Sequence, residues 1–158
     1  MIIKSISLLG LFLFGGACNN KGKSSEETNR DTVVNSTAIV DSLSSGCYSQ
    51  IIQRDTSLLQ LEKNGNTVNA ALSYTIYQKD RNNGTLQAEL SGDVLTGWYL
   101  FRSEGIISVR QVSWKVNGDE LWPAMGEVIQ KNDTTLFAHP DKLEYDSTRP
   151  FKKIPCVI

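Results

Sequence analysis

The chain has 158 residues, with 16 lysine or arginine and 17 aspartate or glutamate side chains, and its formal net charge is −1. The basic residues do not gather into a stripe, so the sequence does not indicate a nucleic-acid partner. With residues 1–17 set aside, the length fits one folded domain that carries a polar tail.

The first residues have the three parts of an export signal. Lys4 supplies a positive charge, residues 6–14 form a short apolar run, and Gly15-Gly16-Ala17 are small residues that a signal peptidase can accommodate. The apolar run has about half the length that a membrane-spanning helix needs. We therefore predict a cleaved signal over residues 1–17 and no permanent transmembrane helix.

Gly16-Ala17-Cys18 resembles the end of the signal in bacterial lipoprotein precursors, where small residues precede a lipidated cysteine. Gly15 departs from the aliphatic residue that this family has three positions before the cysteine. The resemblance implies that Cys18 carries a diacylglyceryl thioether and that its acyl chains, palmitate among them, anchor the protein in a membrane. Asn19 favours the outer membrane by the same resemblance, and leaves both the periplasmic and the surface face open. The alternative is an ordinary secretory signal, cut after Ala17, that leaves Cys18 as a thiol.

Three cysteines are an odd number, which needs an explanation in an oxidising compartment. If lipid occupies Cys18, the remaining pair is Cys47 and Cys156, which flank the rest of the chain almost end to end. We predict a disulfide between them that closes a loop of about 110 residues and stabilises the fold by about 4–5 kcal/mol. The alternative is two unpaired, buried cysteines.

Residues 19–45 are rich in Ser, Thr and Asn and contain few large apolar side chains. Such a segment buries too little apolar surface to order itself, so we predict a disordered tether over residues 18–45 that begins with the lipidated cysteine. Asp31-Thr32-Val33 and Asp41-Ser42-Leu43 are similar to short acceptor sequences for O-linked sugars in some bacterial envelope proteins. Whether they carry sugars stays open.

Residues 46–158 have the pattern of an all-β domain. From Val68 to Tyr77, apolar residues alternate with other residues at period two, which is the clearest strand signal in the chain. Further alternating segments follow, separated by turn sequences such as Asn64-Gly65 and Asn117-Gly118. Short connections of this kind favour antiparallel neighbours. We predict an antiparallel meander of about eight or nine strands, closed or half-closed into a barrel, with a β-sandwich as the alternative.

No motif indicates an enzymatic reaction. His139 is the only histidine, so a metal site would have no second imidazole, and a Ser-His-Asp triad would have to use this residue. We predict a non-enzymatic protein that needs no cofactor and no metal; a hydrolase is the remaining alternative.

The candidate ligand-binding residues centre on Arg110. In a strand, Arg110 shares a face with Val112 and Trp114, and a cation on an apolar face needs a partner or the mouth of a pore. Glu104, across the preceding turn, is the candidate partner. The functional interpretation is a ligand pocket with Arg110 and Glu104 at its mouth and Trp98 and Trp114 as walls. The alternative is a structural ion pair beside tryptophans that fill the core.

The domain shares Cys47-Tyr48, Gly84-Thr85, the run from Ser103 to Val112 and Cys156 with a group of small, uncharacterised all-β domains of bacterial lipoproteins, which it resembles. That resemblance implies no activity. We expect a monomeric, membrane-anchored envelope lipoprotein that binds a small ligand or an envelope protein. The alternative is a structural or assembly component without a ligand pocket, and Trp122 beside Pro123 is its candidate partner-binding edge.

Overall fold

The computed structural model describes residues 43–79 and 81–156. The predicted signal, the lipidation site at Cys18 and most of the tether lie outside the described residues. Within them the chain forms eleven strands and one short 3-10 helix, Pro140–Lys142. The strands are β1 (Gly46–Ile52), β2 (Asp55–Asn64), β3 (Thr67–Thr75), β4 (Arg81–Ser91), β5 (Val94–Ser103), β6 (Ile106–Asn117), β7 (Glu120–Met125), β8 (Val128–Lys131), β9 (Thr134–Phe137), β10 (Glu144–Tyr145) and β11 (Phe151–Ile154).

Eight of these strands close into an antiparallel barrel. Strands β1 to β7 pair in chain order, β11 pairs with β7, and β11 also pairs with β1, so that Cys47 lies opposite Ile154. Strands β8, β9 and β10 are short additions outside this ring. The prediction of an all-β antiparallel barrel is confirmed, and the β-sandwich alternative is not the fold that forms.

The barrel interior follows from the period-two patterns of β2 to β5. Each of these strands alternates buried and exposed residues along most of its length. Because successive side chains of a strand point to opposite faces, one apolar set from each strand fills the interior. The largest fully buried side chains are Trp114, Tyr48, Tyr99, Phe151, Leu59, Leu61, Leu72, Leu86, Leu95, Leu121 and Val68.

Strands β4 and β5 approach closely at Gly97. A Cβ atom added there would lie 2.3 Å from the backbone oxygen of Gln87 and 2.5 Å from the Cβ of Ala88. Gly97 and Ala88 are register partners, so two small residues of the two strands lie opposite each other. A strand glycine often marks such a close backbone approach.

A disulfide joins the first barrel strand to the residues that follow the last one. Cys47 and Cys156 are bonded, and their Cα atoms are 5.2 Å apart. The residues just before β1 also contact the barrel, since Leu43 is buried in the core and the Tyr48 hydroxyl donates a hydrogen bond to the Ser44 carbonyl at 2.9 Å. Residues 43–45, which the sequence assigns to the tether, therefore pack against the domain.

Strands β6 and β7 separate at Pro123. Their pairing runs from Asn117–Glu120 to Trp114–Pro123 and stops there. Proline has no N–H to donate, so it suits the end of a ladder. Past this point β7 pairs with β10, while the earlier part of β6 pairs in parallel with β9 at residues 109–110 and 134–135. The barrel wall is consequently forked on this side.

The expectation of an exposed partner-binding edge at Trp122 is wrong. Strand β7 has neighbours on both sides, and Trp122 lies within its ladder with β6, opposite Lys115. The indole is half-buried, and its Nε1 donates a hydrogen bond to Glu120 Oε2 at 3.0 Å. Pro123 marks the fork of the wall and not a free edge.

Candidate functional site

A cavity of about 550 Å³ occupies the end of the barrel where β1 and β3 end and β11 begins, next to the fork between β6 and β7. Its walls are largely apolar. Val112, Trp114, Pro123, Ala124, Met125, Val128, Phe137 and Phe151 contribute these walls. The fork supplies the opening, because β7 turns away from β6 where their ladder ends.

One acidic group borders the cavity, and the neighbouring residues neutralise it. Asp146 is buried and accepts hydrogen bonds from the Thr148 hydroxyl at 2.5 Å, the Thr148 amide at 2.9 Å and Arg149 Nε at 2.6 Å. These hydrogen bonds, with the Thr148 hydroxyl first, lower the pKa of Asp146 from 3.8 to about 2. Gln50 adds to this corner, since its side-chain amide donates to the Arg149 carbonyl. The Asp146 carboxylate is thus fully engaged with Arg149 and Thr148.

Arg110 is the second cation of the cavity, and none of the described carboxylates matches its charge. It lies on the inner face of β6, opposite Tyr99, and its side chain reaches solvent at the mouth. Within residues 43–79 and 81–156, no carboxylate forms an ion pair with Arg110. Since Asp146 compensates Arg149 alone, the described side chains that line the cavity leave one uncompensated positive charge.

Two tyrosines lie close enough to Arg110 for its charge to lower their pKa values. Burial raises the pKa of Tyr74 to about 12, and Arg110 offsets part of that rise. Burial likewise raises the pKa of Tyr99 well above its ordinary value, and its hydroxyl donates to the Leu72 carbonyl at 3.0 Å. Both hydroxyls are therefore neutral at physiological pH. They do not compensate the charge of Arg110.

Trp114 forms part of the inner wall of the cavity. Only 2% of its surface is exposed, and its ring meets that of Phe151 edge-on at 6.0 Å between centroids. Its indole N–H has no hydrogen-bond acceptor among the described residues. A buried donor without an acceptor is uncommon in folded proteins and calls for an explanation.

The structure brings together two of the four candidate ligand-binding residues. Arg110 and Trp114 both line the cavity, on the shared strand face that the sequence predicted. Trp98 instead lies on the outer face of β5, with 46% of its surface exposed. Glu104 occupies the exposed β5–β6 turn in a left-handed conformation, φ 51°, and forms no ion pair with Arg110.

Sequence reasoning missed the corner formed by Gln50, Asp146 and Arg149. A signal for part of it was present, because an aspartate two residues before a threonine is typical of a turn in which the side chain accepts the later backbone N–H. The same pattern does not say that this turn returns to the barrel mouth. That placement depends on β11 pairing with β1.

The described residues contain no group of three or more His, Cys, Asp or Glu side chains placed to hold a metal ion. His139 lies in the exposed segment before the 3-10 helix, with its Nε2 3.9 Å from Glu127 Oε2. It does not line the cavity. Of the helices in the described part of the chain, none is long and apolar enough to cross a membrane.

A second surface feature lies outside the barrel. Six apolar side chains share one outer face across β5, β6, β9 and β8, as the strand registers require. We call this set the outer apolar strip: Trp98, Leu100, Ile107, Val109, Leu136 and Ile129. Four of its members are exposed, and Val109 and Leu136 are half-buried.

The comparisons with known proteins give no match. No protein-family model matches the chain, and neither a curated protein nor a solved structure matches it significantly.

Proposed function

We propose that this protein is a lipid-anchored envelope protein that binds a small ligand in the open end of its barrel and catalyses no reaction. The observation that carries the proposal is the cavity. Its volume of about 550 Å³ lies in the range of roughly 300–1,000 Å³ typical of small-molecule sites, and its apolar walls with a few polar groups have the usual composition of such sites.

The proposed anchor rests on the resemblance of residues 15–18 to a lipoprotein signal, and Cys18 is the acylated residue in this proposal. Leu43, the first described residue, precedes the start of β1, whereas the cavity lies at the other end of that strand, next to Ile52. Replacing Cys18→Ser should move the protein from the membrane fraction, the outer membrane in this proposal, to the soluble fraction; unchanged fractionation would contradict the anchor.

Ligand binding can be tested with a neutral fluorescent dye, N-phenyl-1-naphthylamine, and a variant that fills the cavity. Ala124 lines the cavity just past the fork, so Ala124→Trp should weaken dye binding tenfold or more. Ala71→Trp is the matched control, because Ala71 is exposed on the outer face of β3. The Ala71→Trp protein should bind the dye as tightly as the wild type does. Near-ultraviolet circular dichroism checks that both variants fold. Equal affinity in all three proteins would refute binding in this cavity.

The second candidate function, an assembly component that docks an envelope protein, is favoured by one observation, the outer apolar strip. Exposed apolar patches of this kind often mark protein interaction sites. The same dye distinguishes the two candidates. Binding that survives Ala124→Trp but is lost in Trp98→Ser would assign the apolar site to the strip and favour docking over ligand binding.

A further inference from the structure

We propose that the ligand of the barrel mouth is a small organic acid, with one anionic group that pairs with Arg110 and an apolar body that occupies the cavity. This inference rests on the proposed ligand binding and adds the chemical class of the ligand. It follows from the charges and surfaces of the cavity walls.

The charge of the cavity selects an anion. Arg149 is paired with Asp146 at 2.6 Å, and no other carboxylate of the described residues lines the cavity. Arg110 has no carboxylate partner in the described part of the chain. The guanidinium presents several N–H donors in a planar fork that suits a carboxylate or a similar oxyanion. A neutral ligand would leave those donors to water, while an acid would use them.

The position of Arg110 also orients the ligand. Arg110 reaches solvent at the mouth, whereas Trp114 is buried four residues further along the same strand, roughly 13 Å away at strand spacing. A charge is costly to bury without full compensation, so the acid group stays at the mouth with Arg110. The apolar body then lies against Val112, Trp114 and Phe151.

The class of ligand can be tested with two dyes that share one aromatic framework. 8-Anilinonaphthalene-1-sulfonate carries an anionic group, and N-phenyl-1-naphthylamine lacks it. We expect the purified full chain to bind the sulfonate more tightly than the neutral dye. Arg110→Gln should lower the affinity for the sulfonate about five- to tenfold, the range for a partly solvated ion pair with guanidinium hydrogen bonds. The affinity of the Arg110→Gln protein for the neutral dye should equal that of the wild type.

Two further variants control for unspecific effects of charge. Arg102→Gln removes an arginine from the exposed outer face of the adjoining strand β5 and should change neither affinity. Arg110→Lys keeps a positive charge and should retain the preference for the sulfonate.

Decanoate, the anion of a carboxylic acid, should displace the bound sulfonate dye at a lower concentration than decanol does.

The outcomes separate this inference from the proposed function. If both dyes bind and Arg110→Gln affects them equally or not at all, the acid class is overturned while ligand binding stands. An equal loss in Arg102→Gln, or displacement by decanol as effective as that by decanoate, also overturns it. If Ala124→Trp leaves the affinity of both dyes unchanged, the proposed function itself fails.

Discussion

The bond between Cys47 and Cys156 gives the most quantitative prediction. It joins residues 109 apart in sequence, and for a loop of that length the chain-entropy model gives about 4.8 kcal/mol of stabilisation through the unfolded state. Folded domains are stable by only about 5–15 kcal/mol, so this one bond accounts for a large share of the total. We expect a variant with both Cys47→Ala and Cys156→Ala to lose most of that amount. Alanine avoids placing a hydroxyl at position 47, which is buried.

Equilibrium unfolding in urea measures this loss, with the midpoint and the slope fitted separately. The wild-type protein in reducing buffer is the control, because it keeps both sulfur atoms and lacks only the covalent link. The reduced wild type and the double variant should agree within about 1 kcal/mol, since their remaining difference is the small side-chain volume lost at two positions. A loss below about 1 kcal/mol in both, with two-state unfolding retained, would refute the entropic account of closure.

Three further predictions concern packing and titration. Gly97→Ala should lower the free energy of unfolding by about 1–3 kcal/mol, because the added Cβ lies 2.3–2.5 Å from atoms of β4. The control Leu100→Ala, at an exposed site, should lower the free energy of unfolding by less. Urea midpoints measure both changes. Because the pKa of Asp146 is lowered from 3.8 to about 2, its stabilisation should be complete above about pH 5 and fade towards pH 2. The stability difference between the wild type and Asp146→Asn should shrink over that window. Burial raises the pKa of Tyr74 to about 12, so Tyr74→Phe should match the wild type in ultraviolet phenolate titration up to about pH 11.

Each of these has a result that would contradict it. A Gly97→Ala protein as stable as the wild type would show that β4 and β5 can separate at no cost. A constant difference between the wild type and Asp146→Asn from neutral pH down to pH 2 would mean that the hydrogen bonds to this carboxyl do not favour its charged form. A smaller phenolate signal in Tyr74→Phe near pH 10 would mean that the Tyr74 hydroxyl is in contact with water.

The barrel itself could be predicted because its strands pair locally. The alternation from Val68 to Tyr77 and the turn at Asn64-Gly65 correspond to β3 and to its hairpin with β2. The expected link between Cys47 and Cys156 pointed to closure of the first strand on the last segment, and that closure forms. Such features need only neighbouring residues and one covalent constraint.

The outward position of Trp98 follows from the turn before it. The turn at Gly92-Asp93 sets Ser91 opposite Val94, and that register then places Leu86 opposite Tyr99. Since Leu86 belongs to the inward set of β4, Tyr99 must point inward and Trp98 outward. Trp98 and Tyr99 are adjacent, and only one of two adjacent strand residues can face the core.

The fork at Pro123 and the parallel pairing of β9 could not be predicted in this way. Proline signals that a ladder ends, but the new neighbours of β6 and β7 come from residues 134–135 and 144–145. Those pairings join segments with no direct hairpin between them. The polar corner at Asp146 and Arg149 depends on the same long-range closure. The wall formed by Arg110 and Trp114 could therefore be predicted from the sequence, and the wall formed by this corner could not.

We expect the strands on the two sides of the fork to open at different free energies. The hairpin of β8 and β9 meets β6 through two register pairs, Val109–Thr134 and Arg110–Thr135, and one hydrogen bond from the Phe137 amide to the Gln111 side chain, while β5 and β6 pair along almost their whole length. Segments held by few hydrogen bonds open locally without global unfolding. Amide hydrogens in residues 128–137 should therefore exchange with solvent well before those of β3 to β5. This hairpin lines the cavity beside Arg110, so the cavity can widen there while the closed ring of eight strands stays intact.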